Sequence, residues 1–279
     1  MGLEKKIDFA VQLLRSIPQD GPIEVSYSGG KDSDMILQLA KEAGIPFEAI
    51  YKQTTIDPPG TTAHAKEMGA TVLRPKETFL ELVERKGSPS RFKRFCCEVL
   101  KEYKVYDRAV QGIRRSESSK RAERYKEPEV CRVYPHKQKA RIYLPILEWT
   151  DRDVEQFIAD RGIKCHPLYY DENGKFRVER RLGCIGCPLQ SDNGLSDWKK
   201  NPKLFKQYVK AYQKFLDNHT TSNWYKRIGG SALNACFHYL FCHSKEEYDN
   251  LVGGGLFPDD GLNVREFMEN YFGIEFEAK

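Results

Sequence analysis

The chain has 279 residues, 40% hydrophobic and 30% charged, the balance of a folded globular protein rather than a disordered one. No apolar run approaches the ~18 residues that cross a bilayer, and the opening Met-Gly-Leu-Glu-Lys-Lys lacks the apolar core of a secretory signal, so a cytoplasmic protein without membrane partners is expected. The net charge of +5 is uneven: Ser244 to Lys279 carries nine acidic and three basic residues, which leaves the rest of the chain with an excess of eleven positive charges. A basic body suits an anionic ligand, either a phosphorylated small molecule or a nucleic acid, although a solvated charged surface explains any single residue equally well.

Ile7, Ala10, Val11, Leu14 and Ile17 recur at helical spacing and predict a first helix that Pro18 ends. Ile23 to Tyr27 reads as a strand broken by Ser28-Gly29-Gly30, and Asp32 to Ala43 as a helix stopped at Gly44. Phe47–Tyr51 and Thr71–Arg74 predict two more strands around a helix from Thr62 to Met68, and Val110–Ile113 and Ile142–Ile146 a fourth and a fifth. Thr150 to Asp153 has the form of a capping box opening a further helix. Short strands alternating with helices predict an α/β fold with a doubly wound, mostly parallel sheet, whose ligand sites lie beyond the carboxyl ends of the strands. After about residue 190 nothing reads as a strand. Asn201-Pro202 starts a helix whose stripe of Leu204, Phe205, Tyr208, Val209, Tyr212 and Phe215 is expected to pack as core rather than to stack on bases. The expected division is a nucleotide-binding domain over 1–190 and a helical C-terminal region over 191–279.

The loop Ser28-Gly29-Gly30-Lys31-Asp32-Ser33 stands where a phosphate cradle belongs, between a strand and a helix. Glycines let the backbone turn its N–H groups toward an anion, and the following helix adds its positive end. Lys31 neutralises phosphate charge, Ser28 and Ser33 offer hydroxyls, and Asp32 either holds Mg²⁺ or caps the helix. Val25 and Asp32 stand where the P-loop of kinases and GTPases needs glycine and Ser or Thr, so the loop is not of that kind.

Eight cysteines in a chain without a secretory signal favour thiols or metal ligands over disulfides. Cys184-Ile-Gly-Cys187 has the spacing for two thiolates on one tetrahedral metal, and Cys96-Cys97 forms a second pair. Neighbours on a regular helix diverge by about 100°, so a tandem pair serves one centre only at a helix end or kink. The Cys165-His166 pair is an alternative source of a ligand, whereas Cys131, Cys236 and Cys242 are expected to act as small core residues.

The Ser28–Ser33 string resembles the PP-loop of the ATP pyrophosphatases, and within that superfamily the chain resembles the phosphoadenosine phosphosulfate (PAPS) reductase branch, with its adenine nucleotide alpha-hydrolase-like fold. The likeness is carried also by Gly112-Ile-Arg-Arg-Ser-Glu-Ser118, Leu144-Pro-Ile146 with Trp149-Thr-Asp-Arg-Asp-Val154, His166-Pro-Leu-Tyr169 and Gly183-Cys-Ile-Gly-Cys-Pro188. It departs after the second strand, where Ile56-Asp57-Pro58-Pro59 replaces the branch's Asp-Thr-Gly. The resemblance implies ATP, or PAPS or its precursor APS, bound with Mg²⁺ by Ser28, Gly29, Gly30, Lys31, Asp32, Ser33, Gly112 and Arg114, with Lys31, Asp32 and Arg114 as the catalytic residues. It also implies a [4Fe–4S] cluster on Cys96, Cys97, Cys184 and Cys187, for which zinc on the same thiolates is the rival. True reductases of this branch attack with a cysteine in a C-terminal Glu-Cys-Gly-Leu-His segment. Here no cysteine follows Cys242. The expected activity is therefore cleavage of ATP to AMP and pyrophosphate to activate an acceptor for sulfur transfer, as in the DNA-phosphorothioation and tRNA-thiolating relatives. The resemblance leaves DNA, tRNA, another polyanion or a metabolite open as the acceptor, with a sulfur-donor protein as a further expected partner. Sulfonucleotide reduction is the alternative, and a non-catalytic nucleotide-binding module is a third.

Overall fold

A computed structural model of the chain describes residues 2–134, 138–253 and 261–276. In chain order its elements are α1 (Leu3–Arg15), β1 (Glu24–Tyr27), α2 (Lys31–Ala43), β2 (Glu48–Lys52), α3 (Thr61–Glu67), β3 (Thr71–Leu73), α4 (Phe79–Lys86), α5 (Phe95–Leu100), β4 (Arg108–Val110), α6 (Ser119–Arg124), β5 (Glu129–Val133), β6 (Lys139–Tyr143) and α7 (Asp151–Arg161). There follow α8 (Leu195–Lys200), α9 (Pro202–Asp217), α10 (Asn223–Arg227), α11 (Ala232–Phe241), α12 (Lys245–Val252) and α13 (Val264–Phe272). Chain contacts divide the molecule into two compact units, Met1–Pro75 with Cys97–Gly183 and Lys76–Cys96 with Cys184–Lys279.

The first unit holds a six-stranded sheet in the order β3-β2-β1-β4-β6-β5. Every pairing is parallel except that of β5 with β6, so β5 is an antiparallel edge strand. Strand order reverses between β1 and β4, which makes the ends of these two strands the switch point where open α/β sheets bind ligands. The apolar positions expected of α1 and α2 face the core: Ile7, Ala10 and Leu14 on one, and Met35, Ile36, Leu39 and Ala40 on the other, are buried. Helix α2 stops at Gly44, whose φ of 69° is the left-handed conformation in which glycine ends a helix. Helix α7 begins with the expected capping box, in which the Thr150 hydroxyl accepts from Asp153 N–H and the Asp153 carboxylate accepts from Thr150 N–H at 2.7 Å.

Two strands lie earlier than the sequence places them. β4 ends at Val110, because Gln111 to Ile113 turn across the switch point, and β6 ends at Tyr143, just before Leu144-Pro145. β5 is an addition that the sequence reading lacks. Its residues alternate between exposed and half-buried, as suits a strand with one partner, and this overturns the expectation that Cys131 is a core residue: Cys131 is exposed.

The second unit is helical. α4 packs on α9, and α11 packs on both α9 and α13. Phe205, Tyr208, Val209 and Tyr212 are buried, as the stripe on α9 predicts, and the buried Trp198 of α8 stacks on Tyr208 with ring centroids 5.0 Å apart. The expected division falls at residue 190, while the contact boundary falls at Gly183–Cys184 and places Lys76–Cys96 with the helical unit. The apolar face of α4 accounts for this placement, with Phe79, Leu82 and Val83 buried and the Phe79 ring stacked on Tyr208 at 6.1 Å.

Candidate active site

The chain leaves β1 at Tyr27, turns through Ser28–Gly30 and enters α2 at Lys31. Gly29 has a φ of 77°, a conformation that side-chain-bearing residues adopt only under strain, and a Cβ there would meet the Thr61 methyl at 2.7 Å. Ser33 locks the turn by donating its hydroxyl to Gly30 O at 2.7 Å, while Ser33 and Asp34 N–H groups donate to the same carbonyl. The loop that follows β4 passes so close that a Cβ on Gly112 would lie 2.8 Å from the carbonyl oxygen of Asp32. Glycine at 112 thus lets the two switch-point loops touch backbone to backbone.

Charge gathers where these loops meet. Lys31 is buried, with its ammonium donating to Arg180 O at 3.2 Å, 3.7 Å from the Asp32 carboxylate and 5.1 Å from the Tyr169 ring centroid. Burial pushes its pKa below the ordinary lysine value, and Arg114 and Arg181 push in the same direction, while Asp32 and Asp151 oppose. Arg114 is buried as well. It donates from Nε to Asp32 at 2.7 Å and from Nη1 to Asp151 at 2.9 Å and Ser116 Oγ at 3.0 Å. Glu117 accepts from Arg114 N–H, pairs with Arg121 and lies 3.6 Å from Arg181. Four cations, Lys31, Arg114, Arg121 and Arg181, thus meet three carboxylates, those of Asp32, Glu117 and Asp151. This partly desolvated excess of positive charge suits a phosphate chain.

The structure brings Ser28, Gly29, Gly30, Lys31, Asp32, Ser33, Gly112 and Arg114 together in the first unit. The Asp32 carboxylate accepts from Arg114 and makes no helix-capping hydrogen bond. One carboxylate at a phosphate loop matches the usual Mg²⁺ arrangement of one or two acidic ligands completed by phosphate oxygens, so Asp32 is the residue that would hold that ion.

Several contributors are absent from the sequence reading. Tyr169 lies over the loop with its hydroxyl 3.2 Å from a Cβ built on Gly30, and burial raises its pKa. Beneath the loop the fully buried Asp34 accepts from the Tyr27 hydroxyl and faces His64 Nε2 at 3.1 Å. Burial pushes the Asp34 pKa up against these two hydrogen bonds. Cys165 and His166, the alternative ligand pair, are buried against this same network. Burial raises the Cys165 thiol, and the His166 ring accepts at Nδ1 from Leu168 N–H at 3.2 Å and meets His64 edge-on.

Cys96 and Cys97 fall in the first turn of α5, which is the helix end that a tandem pair requires. Cys184 and Cys187 flank Gly186, whose φ is 65° and whose N–H donates to Asp197 at 3.2 Å. All four thiols are half-buried, yet among the described residues no group of three or more His, Cys, Asp or Glu side chains is arranged to hold a metal ion. Cys242, expected in the core, is instead half-buried at the end of α11, and burial together with Glu247 raises its thiol pKa.

A parallel sheet with a glycine-rich phosphate loop at its switch point defines a nucleotide-binding α/β protein. The model of the phosphoadenosine phosphosulfate reductase domain matches residues 22–231, and the chain belongs to that family, within the PP-loop ATP pyrophosphatase superfamily. Uncharacterized protein MJ0973 of Methanocaldococcus jannaschii is 31% identical over 208 residues, 69% of this chain and 48% of that protein. Sulfate adenylyltransferase subunit 2 2 of Alkalilimnicola ehrlichii is 28% identical over 180 residues, 52% of this chain and 59% of that one. The chain spans about half the length of these curated relatives. Among solved structures, PAPS reductase of Candida auris in a phosphate complex aligns over 65% of this chain and 93% of its own, with a TM-score of 0.46 and 14% identity. The family assignment supports adenine-nucleotide binding. No helix among the described residues is long and apolar enough to cross a membrane.

Proposed function

We propose that the chain binds ATP at Ser28–Ser33 and catalyses attack of an acceptor oxygen on the α-phosphorus. The bond from that phosphorus to the bridging oxygen breaks, pyrophosphate leaves with the electron pair, and the acceptor keeps AMP as a leaving group for a sulfur nucleophile. The observation that carries this reading is the meeting of the β1 and β4 loops at the switch point, with Lys31 and Arg114 both buried beside Asp32. Negative charge grows on the departing pyrophosphate, and fixed cations in a partly dry site stabilise it without reorganising. Lys31 and Arg114 supply that charge, Ser28 and Ser33 orient oxygens, and Asp32 keeps the Arg114 guanidinium turned toward the loop. Mg²⁺, when bound through Asp32, would add further neutralisation of the phosphates. Cys96, Cys97, Cys184 and Cys187 stand as proposed ligands of an iron–sulfur or zinc centre, and no step above depends on it.

Labelled ATP tests the reading. AMP and pyrophosphate are the expected products, with loss of turnover in Lys31→Ala. The competing reading, PAPS or APS reduction, asks a thiolate either of a partner protein or of Cys242, whose burial favours the inert thiol. Sulfite released from PAPS or APS with a reduced thiol donor would revive it.

A further inference from the structure

The helical unit contains a cavity of about 400 Å³, within the size range of small-molecule sites. Its walls include the rings of Tyr208, Tyr212, Phe215 and Trp224, its rim carries Lys86 and Lys93, and no carboxylate lines it. The Trp224 indole N–H donates to the Tyr212 hydroxyl at 3.2 Å, and the Ser88 and Tyr208 hydroxyls pair at 2.5 Å, so these polar edges are satisfied. His238 is different. Its ring also lines the cavity, edge-on to Trp224 with centroids 5.1 Å apart, but its buried Nε2 has no hydrogen-bond partner. A buried polar atom without a partner costs free energy, which marks this wall of the cavity as incompletely satisfied.

Beside the cavity stands Phe92, 97% exposed between Arg91 and Lys93. The backbone that carries it is held, because Phe92 and Lys93 N–H groups both donate to Ser90 Oγ, and Arg91 donates to Gln190 O at 2.6 Å and to Asn193 Oδ1 at 3.4 Å. Ser90, Lys93 and Asn193 line the same cavity. An exposed aromatic ring between cations next to an aromatic slot is the combination by which proteins bind unpaired strands, with bases on the rings and phosphates on the cations. A single exposed phenylalanine alone would mean little.

We propose that this cavity receives an unpaired nucleobase of a single-stranded nucleic acid, with Phe92 stacking on a neighbouring base and Lys93 set beside the phosphate between them. Naming that strand as the acceptor rests on the adenylating reading above, whereas strand binding itself does not. The test is fluorescence anisotropy of short labelled RNA and DNA strands with the full chain. Single strands are expected to bind, with affinity falling as salt rises. Phe92→Ala, an abasic strand and Lys93→Glu are each expected to weaken binding about tenfold. Phe92 and Lys93 are exposed, so both variants keep the fold, and His238→Leu is expected to weaken binding through the cavity itself. Equal affinity for the matching duplex, indifference to Phe92→Ala, or no binding at all would overturn the proposal. Lys31→Ala should leave strand binding intact. Pyrophosphate release without strand binding would keep the proposed reaction and refute this inference alone.

Discussion

Asp32, in the first turn of α2, and Arg114, on the loop after β4, are 82 residues apart in the chain and are joined by a 2.7 Å ion pair between Oδ1 and Nε. The pair ties the phosphate loop after β1 to the loop after β4, and a second carboxylate, Asp151 at the start of α7, holds the other edge of the same guanidinium. Arg114→Leu leaves Asp32 with only the more distant Lys31 ammonium in a largely buried place. We expect about 2–3 kcal/mol of destabilisation, measured by chemical denaturation, and a loss of turnover on the order of 100-fold. Arg114→Lys keeps the charge but cannot bridge both carboxylates, and should recover stability better than rate.

Gly112 carries the second expectation. A methyl group there would press on the Asp32 carbonyl at 2.8 Å, and that carbonyl belongs to the first turn of α2 and cannot swing away. Gly112→Ala should cost about 1–3 kcal/mol and weaken nucleotide binding, whereas Gly183→Ala, with nothing within 4 Å of its Cβ, should stay within about 0.5 kcal/mol of the parent. Calorimetric Tm and ATP titration on both variants check this.

Lys31 predicts the pH response of nucleotide binding. Its pKa in the folded chain lies below the ordinary 10.5, mainly through burial, so the folded chain holds fewer protons than the unfolded one between the two values. Stability from this group therefore rises with pH across that window, while the charged form that phosphate requires is lost there. ATP affinity should fall as pH climbs from neutrality toward 10.5, at lower pH than for an ordinary lysine, with proton uptake on binding. Isothermal titration in buffers of differing ionisation enthalpy measures that uptake. Affinity independent of pH up to the ordinary lysine value would count against a phosphate role for Lys31.

For the thiols, we expect protein purified without oxygen to carry either iron with acid-labile sulfide, absorbing broadly near 400 nm, or zinc. The double variant Cys184→Ser, Cys187→Ser should lose the metal. Metal-free protein with an unchanged Tm would show that these cysteines bind no resident ion.

The legible parts of the fold were those with strong local signals: the apolar stripes of α1, α2 and α9, the Thr150 capping box and the glycine stop at Gly44. The phosphate loop was legible because Gly29 and Lys31 stand between a strand and a helix. The less legible parts depend on distant partners. β5 is a short edge strand with one paired side, so little in its own residues distinguishes it from a loop. Placing Lys76–Cys96 with the helical unit requires knowing that the apolar face of α4 meets α9, and no local pattern states that. The Asp34–His64–Tyr27 network likewise joins three elements whose spacing in sequence carries no motif.

The most direct test follows the products of ATP labelled at the α-phosphate, with the full chain, Mg²⁺ and a single-stranded acceptor. The account predicts AMP, first as adenylated acceptor, with one pyrophosphate for each ATP consumed and none in Lys31→Ala. ADP and inorganic phosphate as products, or AMP formation undiminished in Lys31→Ala, would contradict it.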